Sequence, residues 1–186
     1  MLKLISKLYY KLYGWKVAES FPKDLKKCVI LGAPHTDYRD FFYGLAGMQI
    51  AGLNINYLAK KELFKFPFGF VFSSTGGIPV DRNQSANIVD QVIKIFNNET
   101  EFFFALSPEA TRGVVKKWKS GFYHIALGAK VPIVPAYLDY KNKHFGFGPA
   151  FMPTGDTAKD LSFFKEFYKT KTAKVPEKFD PESICF

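Results

Sequence analysis

The sequence predicts an α/β fold: a single-domain sandwich in which helices flank a mixed, largely parallel sheet, with an amphipathic helix added at the N-terminus. Three observations support this prediction. Short apolar runs typical of buried strands alternate along the chain with segments whose apolar residues recur at helical spacing. Such alternation is typical of a sheet covered by helices. The length of 186 residues, 47% of them hydrophobic, suits one domain with a sizeable core.

The strands are predicted from continuous apolar segments bounded by turn residues. Three segments are the clearest, and three shorter ones are weaker because they carry fewer apolar residues. The predicted strands are 28–33, 57–59, 78–80, 102–106, 133–138 and 143–147.

The helices are predicted from apolar residues three and four positions apart. The Phe-rich segment 60–72, interrupted by Pro67 and Gly69, is expected to hold short helices, and residues 107–119 to form a polar, basic loop. A loose, Pro-containing end is expected after residue 170. The predicted helices are 2–13, 38–51, 84–97, 121–129 and 158–170.

The first predicted helix has two faces of different chemistry. Its apolar face carries Ile5, Leu8, Tyr9, Leu12 and Tyr13, and its opposite face carries Lys3, Lys7 and Lys11. A basic amphipathic helix of this kind fits an interfacial membrane anchor. The alternative is a helix that packs on the domain and leaves its lysines in water. We divide the chain into a membrane-associating helix over 1–16 and a main domain over 17–186.

Composition limits the partners. The formal net charge of +9 favours anionic ones: nucleic acid, anionic lipid or a phosphorylated substrate. Aromatic residues make up 18% of the chain, which fits an apolar groove, a membrane-facing patch or a Phe-rich core. Cys28 and Cys185 suggest neither a disulfide framework nor a cysteine metal site, so we expect a reducing cytosolic compartment. We expect no membrane-spanning segment and no signal peptide.

A histidine and an aspartate follow the first strong strand, in the segment Pro34-His35-Thr36-Asp37-Tyr38-Arg39-Asp40. If Thr36 caps the next helix, His35 lies just before the cap and Asp40 lies in the first turn, so the two are neighbours. The carboxylate then fixes the imidazole tautomer and leaves the other ring nitrogen free to accept a proton. The alternative is a surface His-Asp pair beside a capped helix.

Three later segments carry candidate binding groups at strand ends, where α/β folds usually bind ligands. Gly76 to Arg82 combines flexible glycines with a guanidinium suited to phosphate. Ser107 to Gly113 contains Glu109 and Arg112, which either pair with each other or leave the arginine free for phosphate. Residues 131–135, with sequence VPIVP, are expected to shape a pocket wall.

Together these four segments resemble the glycerophospholipid acyltransferases of the lysophosphatidic acid acyltransferase type. That family's motifs are His, four residues and Asp; a Gly-rich stretch ending in Arg; Pro-Glu-Gly-Thr-Arg; and a Val-Pro-Ile-Val-Pro strand. The matching residues, in the same order over about 28–140, are His35 and Asp40, Gly77 to Arg82, Pro108 to Arg112, and Val131 to Pro135.

The resemblance implies transfer of a fatty acyl group from acyl-CoA or acyl-carrier protein to a hydroxyl of a lysophospholipid, by default 1-acylglycerol 3-phosphate. His35 would be the general base and Asp40 would orient it. Arg82 would hold the acceptor phosphate, while Glu109, Thr111 and Arg112 would shape or bind the acceptor site. We expect no cofactor and no metal, and no nucleic-acid partner. The expected partners are lipid substrates, the inner face of the cell membrane and, as donor, acyl-carrier protein.

Two departures from the family pattern concern the acceptor. Ala110 stands where the family usually has Gly, and Gly113 where Ser is common. Alanine resists the left-handed backbone that glycine adopts at low cost, so the acceptor loop is expected to differ. One alternative is therefore another acceptor, such as a lyso-aminolipid. The alternative from a different class is a non-enzymatic protein that binds anionic lipid.

Overall fold

The computed structural model describes residues 2–65, 69–80 and 88–186. These residues form a sheet of seven strands. The strands are β1 (Lys16–Val17), β2 (Lys27–Gly32), β3 (Ile55–Lys60), β4 (Gly77–Val80), β5 (Phe102–Leu106), β6 (Ile133–Asp139) and β7 (His144–Phe147).

The strand order is β1-β7-β6-β2-β5-β3-β4. The five strands from β6 to β4 run parallel, β7 pairs antiparallel with β6, and β1 pairs parallel with β7. This is the mixed, largely parallel sheet that the sequence predicts. Because the parallel strands share one direction, the loops after β2, β5 and β6 emerge at one edge, with β2 between the other two.

Helices cover both faces of the sheet. They are α1 (Leu2–Tyr13), α2 (Arg39–Ala51), α3 (Gly69–Ser74), α4 (Ile88–Asn98), α5 (Gly121–Ala129) and α6 (Thr157–Tyr168). Neighbouring residues of β2 point to opposite faces, as the pleat requires. Ile30 packs in the cluster below α1 and α2, and Leu31 packs in the cluster that contains residues of α4, α5 and α6. Both β2 side chains are fully buried.

Helix α1 packs on α2 and still exposes an apolar face. Tyr10 is buried and its hydroxyl donates to the backbone oxygen of Tyr43 at 2.6 Å. On the outer side, Leu4, Leu8 and Leu12 are 74%, 67% and 76% exposed. Helix α1 therefore packs on the domain and also exposes an apolar stripe, and membrane binding through that stripe stays a prediction.

Most predicted elements are present with small shifts at their ends, and two expectations need correction. The two-residue strand β1 was not predicted, and it contains the proposed boundary between residues 16 and 17. The C-terminal tail is not loose: it forms short 3₁₀ turns at Pro176–Lys178 and Pro181–Ser183, and the backbone oxygen of Ser183 accepts from the Trp118 amide. Residues 84–87 of the helix predicted over 84–97 and residues 66–68 of the Phe-rich segment lie outside the described residues.

Candidate active site

The loop between β2 and α2 brings His35 and Asp40 together. His35 Nδ1 lies 3.3 Å from Asp40 Oδ2. The Asp40 side chain is only 3% exposed, whereas the His35 side chain is 25% exposed. A buried carboxylate thus faces one nitrogen of a ring that a substrate can reach. This arrangement excludes the surface pair considered from the sequence.

The helix start differs from the predicted one. Helix α2 begins after Tyr38, with no side-chain cap, and Thr36 is buried with its hydroxyl accepting from the Val175 amide at 3.1 Å. The prediction that Thr36 caps the helix is therefore wrong. The Arg39 amide, which a Thr36 cap would bind, donates instead to Asp37 Oδ1. Asp40 Oδ2 reaches backwards and accepts from the amides of Thr36 and Asp37 at 2.8 and 2.9 Å, as the acidic residue of a capping box does.

Acidic side chains bind the backbone N–H groups at the start of α2. The Thr36 and Asp37 amides donate to Asp40, and the Arg39 amide donates to Asp37 Oδ1 at 2.9 Å. These three N–H groups are therefore not available to stabilise negative charge on a substrate.

Tyr140 is a site residue that the sequence did not reveal. It follows β6, and its hydroxyl donates to Asp40 Oδ1 at 2.5 Å. Burial and this hydrogen bond raise the pKa of the Tyr140 hydroxyl well above its ordinary value, so the group remains a donor. Asp40 therefore has donors on both oxygens, which fixes its plane beside His35. Only the position of Tyr140 at the end of a predicted strand next to the site marked it in the sequence.

The side chain of Glu109 binds the backbone of His35. It follows β5, is 3% exposed, and its Oε2 accepts from the backbone amide of His35 at 2.7 Å and from the Ser107 hydroxyl at 3.0 Å. Burial raises the pKa of Glu109 to about 7, against the lowering effect of these two donors. The contact fixes the His35 backbone, which is one way of shaping the site.

Two of the remaining predicted binding residues lie at the same edge of the sheet, on the surface. Thr111 and Arg112 are exposed in the loop after β5, so the suggested pair between Glu109 and Arg112 does not form. Ala110 has φ of 56°, so the loop adopts the left-handed backbone at this position even though the residue there is not glycine. Arg82 lies outside the described residues. Its role, and those of Thr111 and Arg112, stay predictions.

The described parts of the chain contain neither a metal-binding cluster nor a membrane-spanning helix. No group of three or more histidine, cysteine, aspartate or glutamate side chains is placed to hold a metal ion there. No helix in the same residues is long and apolar enough to cross a bilayer.

The fold and site define a class: an α/β sandwich with a buried carboxylate and an accessible histidine at the carboxyl edge of its parallel strands. The family model described as Acyltransferase matches residues 16–139. The chain belongs to this acyltransferase family.

Individual relatives agree with this assignment. The chain is 30% identical over 141 residues to the 1-acyl-sn-glycerol-3-phosphate acyltransferase of Limnanthes alba, covering 73% of this chain and 49% of that protein. It is 29% identical over 136 residues to the protein of the same name from Haemophilus influenzae, covering 68% and 55%. The chain thus spans about half the length of the curated relatives it matches.

A solved structure shares the fold. The 1-acyl-sn-glycerophosphate (LPA) acyltransferase PlsC from Thermotoga maritima superposes with a TM-score of 0.64, covering 91% of this chain and 76% of that one. The sequence identity is 17%, so this likeness concerns the fold alone.

Proposed function

We propose that this protein transfers a fatty acyl group from an acyl thioester to a hydroxyl of a lysophospholipid, with 1-acylglycerol 3-phosphate as the default acceptor. The observation that carries the proposal is the His35–Asp40 pair, with the carboxylate buried and the ring accessible. The family assignment and the names of the relatives add the reaction class. Acyl-CoA and acyl-carrier protein are the two candidate donors.

The proposed mechanism needs one base. A proton on His35 Nδ1 faces Asp40, which leaves Nε2 free to remove the proton from the acceptor hydroxyl. The acceptor oxygen then bonds to the thioester carbonyl carbon. When the tetrahedral intermediate collapses, the C–S bond breaks, and the leaving thiolate takes the proton from the imidazolium. The products are an ester and a free thiol, and His35 returns to its starting state.

Asp40 has two tasks in this mechanism. Its negative charge lies 3.3 Å from Nδ1, so it stabilises the imidazolium that forms during the reaction. Its four-point support, from the amides of Thr36 and Asp37, from Tyr140 and from the ring itself, keeps that charge in place. Preorganised charge of this kind needs little rearrangement as the transition state forms.

The acceptor phosphate is proposed to bind on the β5 side of His35. Arg112 and Thr111 lie in the exposed loop after β5, and Arg82 comes two residues after the end of β4 in the sequence. Guanidinium groups bind phosphate through paired hydrogen bonds, which suits this role.

Helix α1 is proposed to seat the protein on the inner face of the cell membrane. Its exposed stripe of Leu4, Ile5, Leu8 and Leu12, beside lysines 3, 7 and 11, matches an interfacial helix. A lysophospholipid resides in the bilayer, so docking there brings the acceptor to the enzyme.

The function is tested with purified protein, a membrane lipid extract and labelled acyl-CoA or acyl-carrier protein, with products identified by mass spectrometry. We expect a diacyl phospholipid, and we expect His35→Ala to lower turnover by about 10²- to 10⁴-fold without changing the unfolding transition. A labelled aminolipid product would instead identify a lyso-aminolipid as the acceptor. Vesicle binding without ester formation would instead establish the non-enzymatic alternative.

Membrane docking is tested by cosedimentation with anionic vesicles. Leu8→Glu with Leu12→Glu should weaken vesicle binding by at least about tenfold, because two apolar side chains leave the bilayer interface and two negative charges enter it. Met152→Glu is the matched control, because Met152 is also an exposed apolar residue, 55% accessible, and lies outside α1. Equal effects of the two changes would contradict docking through α1.

A further inference from the structure

A basic cleft lies behind the catalytic carboxylate, on the opposite flank of His35 from the proposed acceptor loop. We call it the Tyr140 cleft, since the Tyr140 ring forms one wall while its hydroxyl binds Asp40. Its volume is about 240 Å³, and its lining consists of Tyr13, Trp15, Arg39, Tyr43, Tyr140, Lys143 and Lys174.

The charged side chains that line the cleft are all positive. Three cations line it and no carboxylate does, among the residues that the structure describes. Arg39 is partly neutralised, because its Nε donates to Asp37 Oδ1 at 2.8 Å. Lys143 Nζ donates to the backbone oxygen of Tyr13 at 3.2 Å, and Lys174 Nζ lies 5.3 Å from the centre of the Tyr140 ring. Neither lysine has a carboxylate partner among the described residues. The cleft therefore attracts an anion.

The walls and the size of the cleft narrow the choice of anion. Trp15 stacks on Tyr43 with 4.4 Å between ring centres, and Tyr140 packs edge-on against Trp15 at 4.9 Å. Fixed aromatic walls favour a ligand with an apolar portion next to its charge. Pockets that hold whole small molecules measure about 300–1,000 Å³, so the volume of about 240 Å³ fits a headgroup rather than a whole substrate.

Strand order separates this cleft from the acceptor loop. Tyr140 follows β6 and Arg112 follows β5, and these two strands border β2 on opposite sides. His35 follows β2, so it lies between a cationic cleft on one flank and a cationic loop on the other. A reaction between two phosphate-bearing substrates requires two anion-binding sites, one for each substrate.

We propose that the Tyr140 cleft binds the phosphate of the donor's phosphopantetheine arm, with the thioester extending from there towards His35. This inference rests on the proposed acyl transfer. The shared chemistry is a phosphate ester on an apolar pantetheine chain, which coenzyme A and acyl-carrier protein both carry. Lys143 and Lys174 bind the phosphate, and the aromatic walls contact the chain.

Binding is tested without catalysis, by isothermal titration calorimetry with unacylated coenzyme A and with 4′-phosphopantetheine. Lys143→Gln with Lys174→Gln should weaken binding of both probes by about tenfold, because two cations that face the phosphate are lost. The matched control is Lys94→Gln with Lys159→Gln, which removes equal charge from exposed positions on α4 and α6, on the other face of the sheet. Unchanged affinity in the cleft variant, an equal loss in the control, or no binding of either probe by the unmodified protein would overturn the proposal.

Kinetics distinguish the donor from other sources of phosphate. The cleft variant should raise KM for acyl-CoA, or for acyl-carrier protein if that is the donor, by about tenfold. It should leave KM for 1-acylglycerol 3-phosphate and affinity for anionic vesicles within about twofold. A rise in the acceptor KM, or weaker vesicle binding with an unchanged donor KM, would assign the cleft to a lipid phosphate instead. If the unmodified protein transfers no acyl group, the proposed function fails, and calorimetry still decides what the cleft binds.

Discussion

Two buried aspartates of this protein are built in nearly the same way and have different neighbours. Asp40 lies in the first turn of α2, and Asp160 lies in the first turn of α6. Each accepts a hydrogen bond from a tyrosine hydroxyl distant in sequence, Tyr140 for Asp40 and Tyr123 for Asp160. Each also accepts from a backbone amide that precedes its helix. A carboxylate held in this way is a general device of the fold and does not by itself indicate catalysis.

The difference lies in what each carboxylate faces. Asp160 accepts from the Thr154 amide, the Thr154 hydroxyl and Tyr123, each at 2.7 Å. Burial acts to raise the pKa of Asp160, but these donors outweigh it and hold the pKa below its ordinary value. Asp40 has equivalent support and, in addition, an accessible imidazole 3.3 Å away. The histidine is what converts an anchoring carboxylate into part of a candidate active site.

The largest expected contrast comes from replacing each aspartate by asparagine. Asp40→Asn should lower kcat by about 10²-fold or more, because the charge that stabilises the imidazolium is lost. Asp160→Asn should leave kcat within about twofold and lower the free energy of unfolding by about 1–3 kcal/mol, because a buried charged hydrogen-bond network is broken. Steady-state kinetics and denaturant unfolding measure both. Equal losses of kcat in the two variants would remove the distinction between the sites.

A smaller contrast is expected from the two tyrosines. Tyr140→Phe should lower kcat by about tenfold, because Asp40 Oδ1 loses its hydrogen-bond donor and the carboxylate is less firmly oriented. Tyr123→Phe removes the equivalent donor from Asp160 and should lower stability without lowering kcat. The KM for each substrate is measured in parallel, since a positioning role for Tyr140 requires the loss to appear in kcat. An effect of Tyr140→Phe on stability alone would assign it the same anchoring role as Tyr123.

The third prediction concerns the pH dependence of the free energy of unfolding, to which the buried carboxyl group of Glu109 contributes. Burial raises the pKa of Glu109 from its ordinary value of 4.5 to about 7. Between these values the folded protein binds more protons than the unfolded chain, so this group's stabilisation, complete below pH 4.5, is lost as the pH rises through about 7. Glu109→Gln keeps an acceptor oxygen for His35 and Ser107 and should remove this dependence.

The measurement is the free energy of unfolding of both proteins at pH 5 and pH 8. The variant should gain on the order of 3 kcal/mol relative to the unmodified protein between these pH values. The opposite sign, or parallel pH profiles, would show that Glu109 is ionised throughout.

The smallest expected contrast concerns two residues with a left-handed backbone conformation, one near Asp160 and one beside Glu109. Near Asp160, the left-handed position is taken by Gly155, with φ of 96°. Beside Glu109 it is taken by Ala110, with φ of 56°. Ala110→Gly should therefore raise the free energy of unfolding by about 1 kcal/mol, and Gly155→Ala should lower it by about the same amount. Chemical denaturation of both variants measures this, and a loss of stability in Ala110→Gly would show that the alanine is not strained.

The regular elements could be predicted because their signals are local. Phe102–Leu106 and Gly121–Ala129 have the predicted ends, since a continuous apolar run and a helical repeat define them without help from distant residues. Strand β1 was missed because two residues carry no period, and only pairing with β7 orders them. The order of the C-terminal tail was not predicted, because the tail is held by a hydrogen bond to Trp118, which lies far away in the sequence.

The candidate site follows the same rule. The His35–Asp40 pair was predictable because both residues lie in one turn between a strand and a helix. Tyr140 reaches Asp40 across 100 residues and depends on the pairing of β6 with β2, which no local pattern specifies. The cap was assigned to Thr36 because threonine is a common cap, whereas the Thr36 hydroxyl accepts from the distant Val175 amide, and the Arg39 amide that it would cap donates to Asp37.

The most direct test of the account is a double-mutant cycle on kcat with His35→Ala, Asp40→Asn and the combination of both. If the carboxylate acts only by orienting and stabilising the imidazole, Asp40→Asn should cost about 10²-fold in the unmodified protein and nothing further once His35 is gone. Losses that multiply in the double variant would show that the two side chains act independently, which would contradict the pair as a catalytic unit.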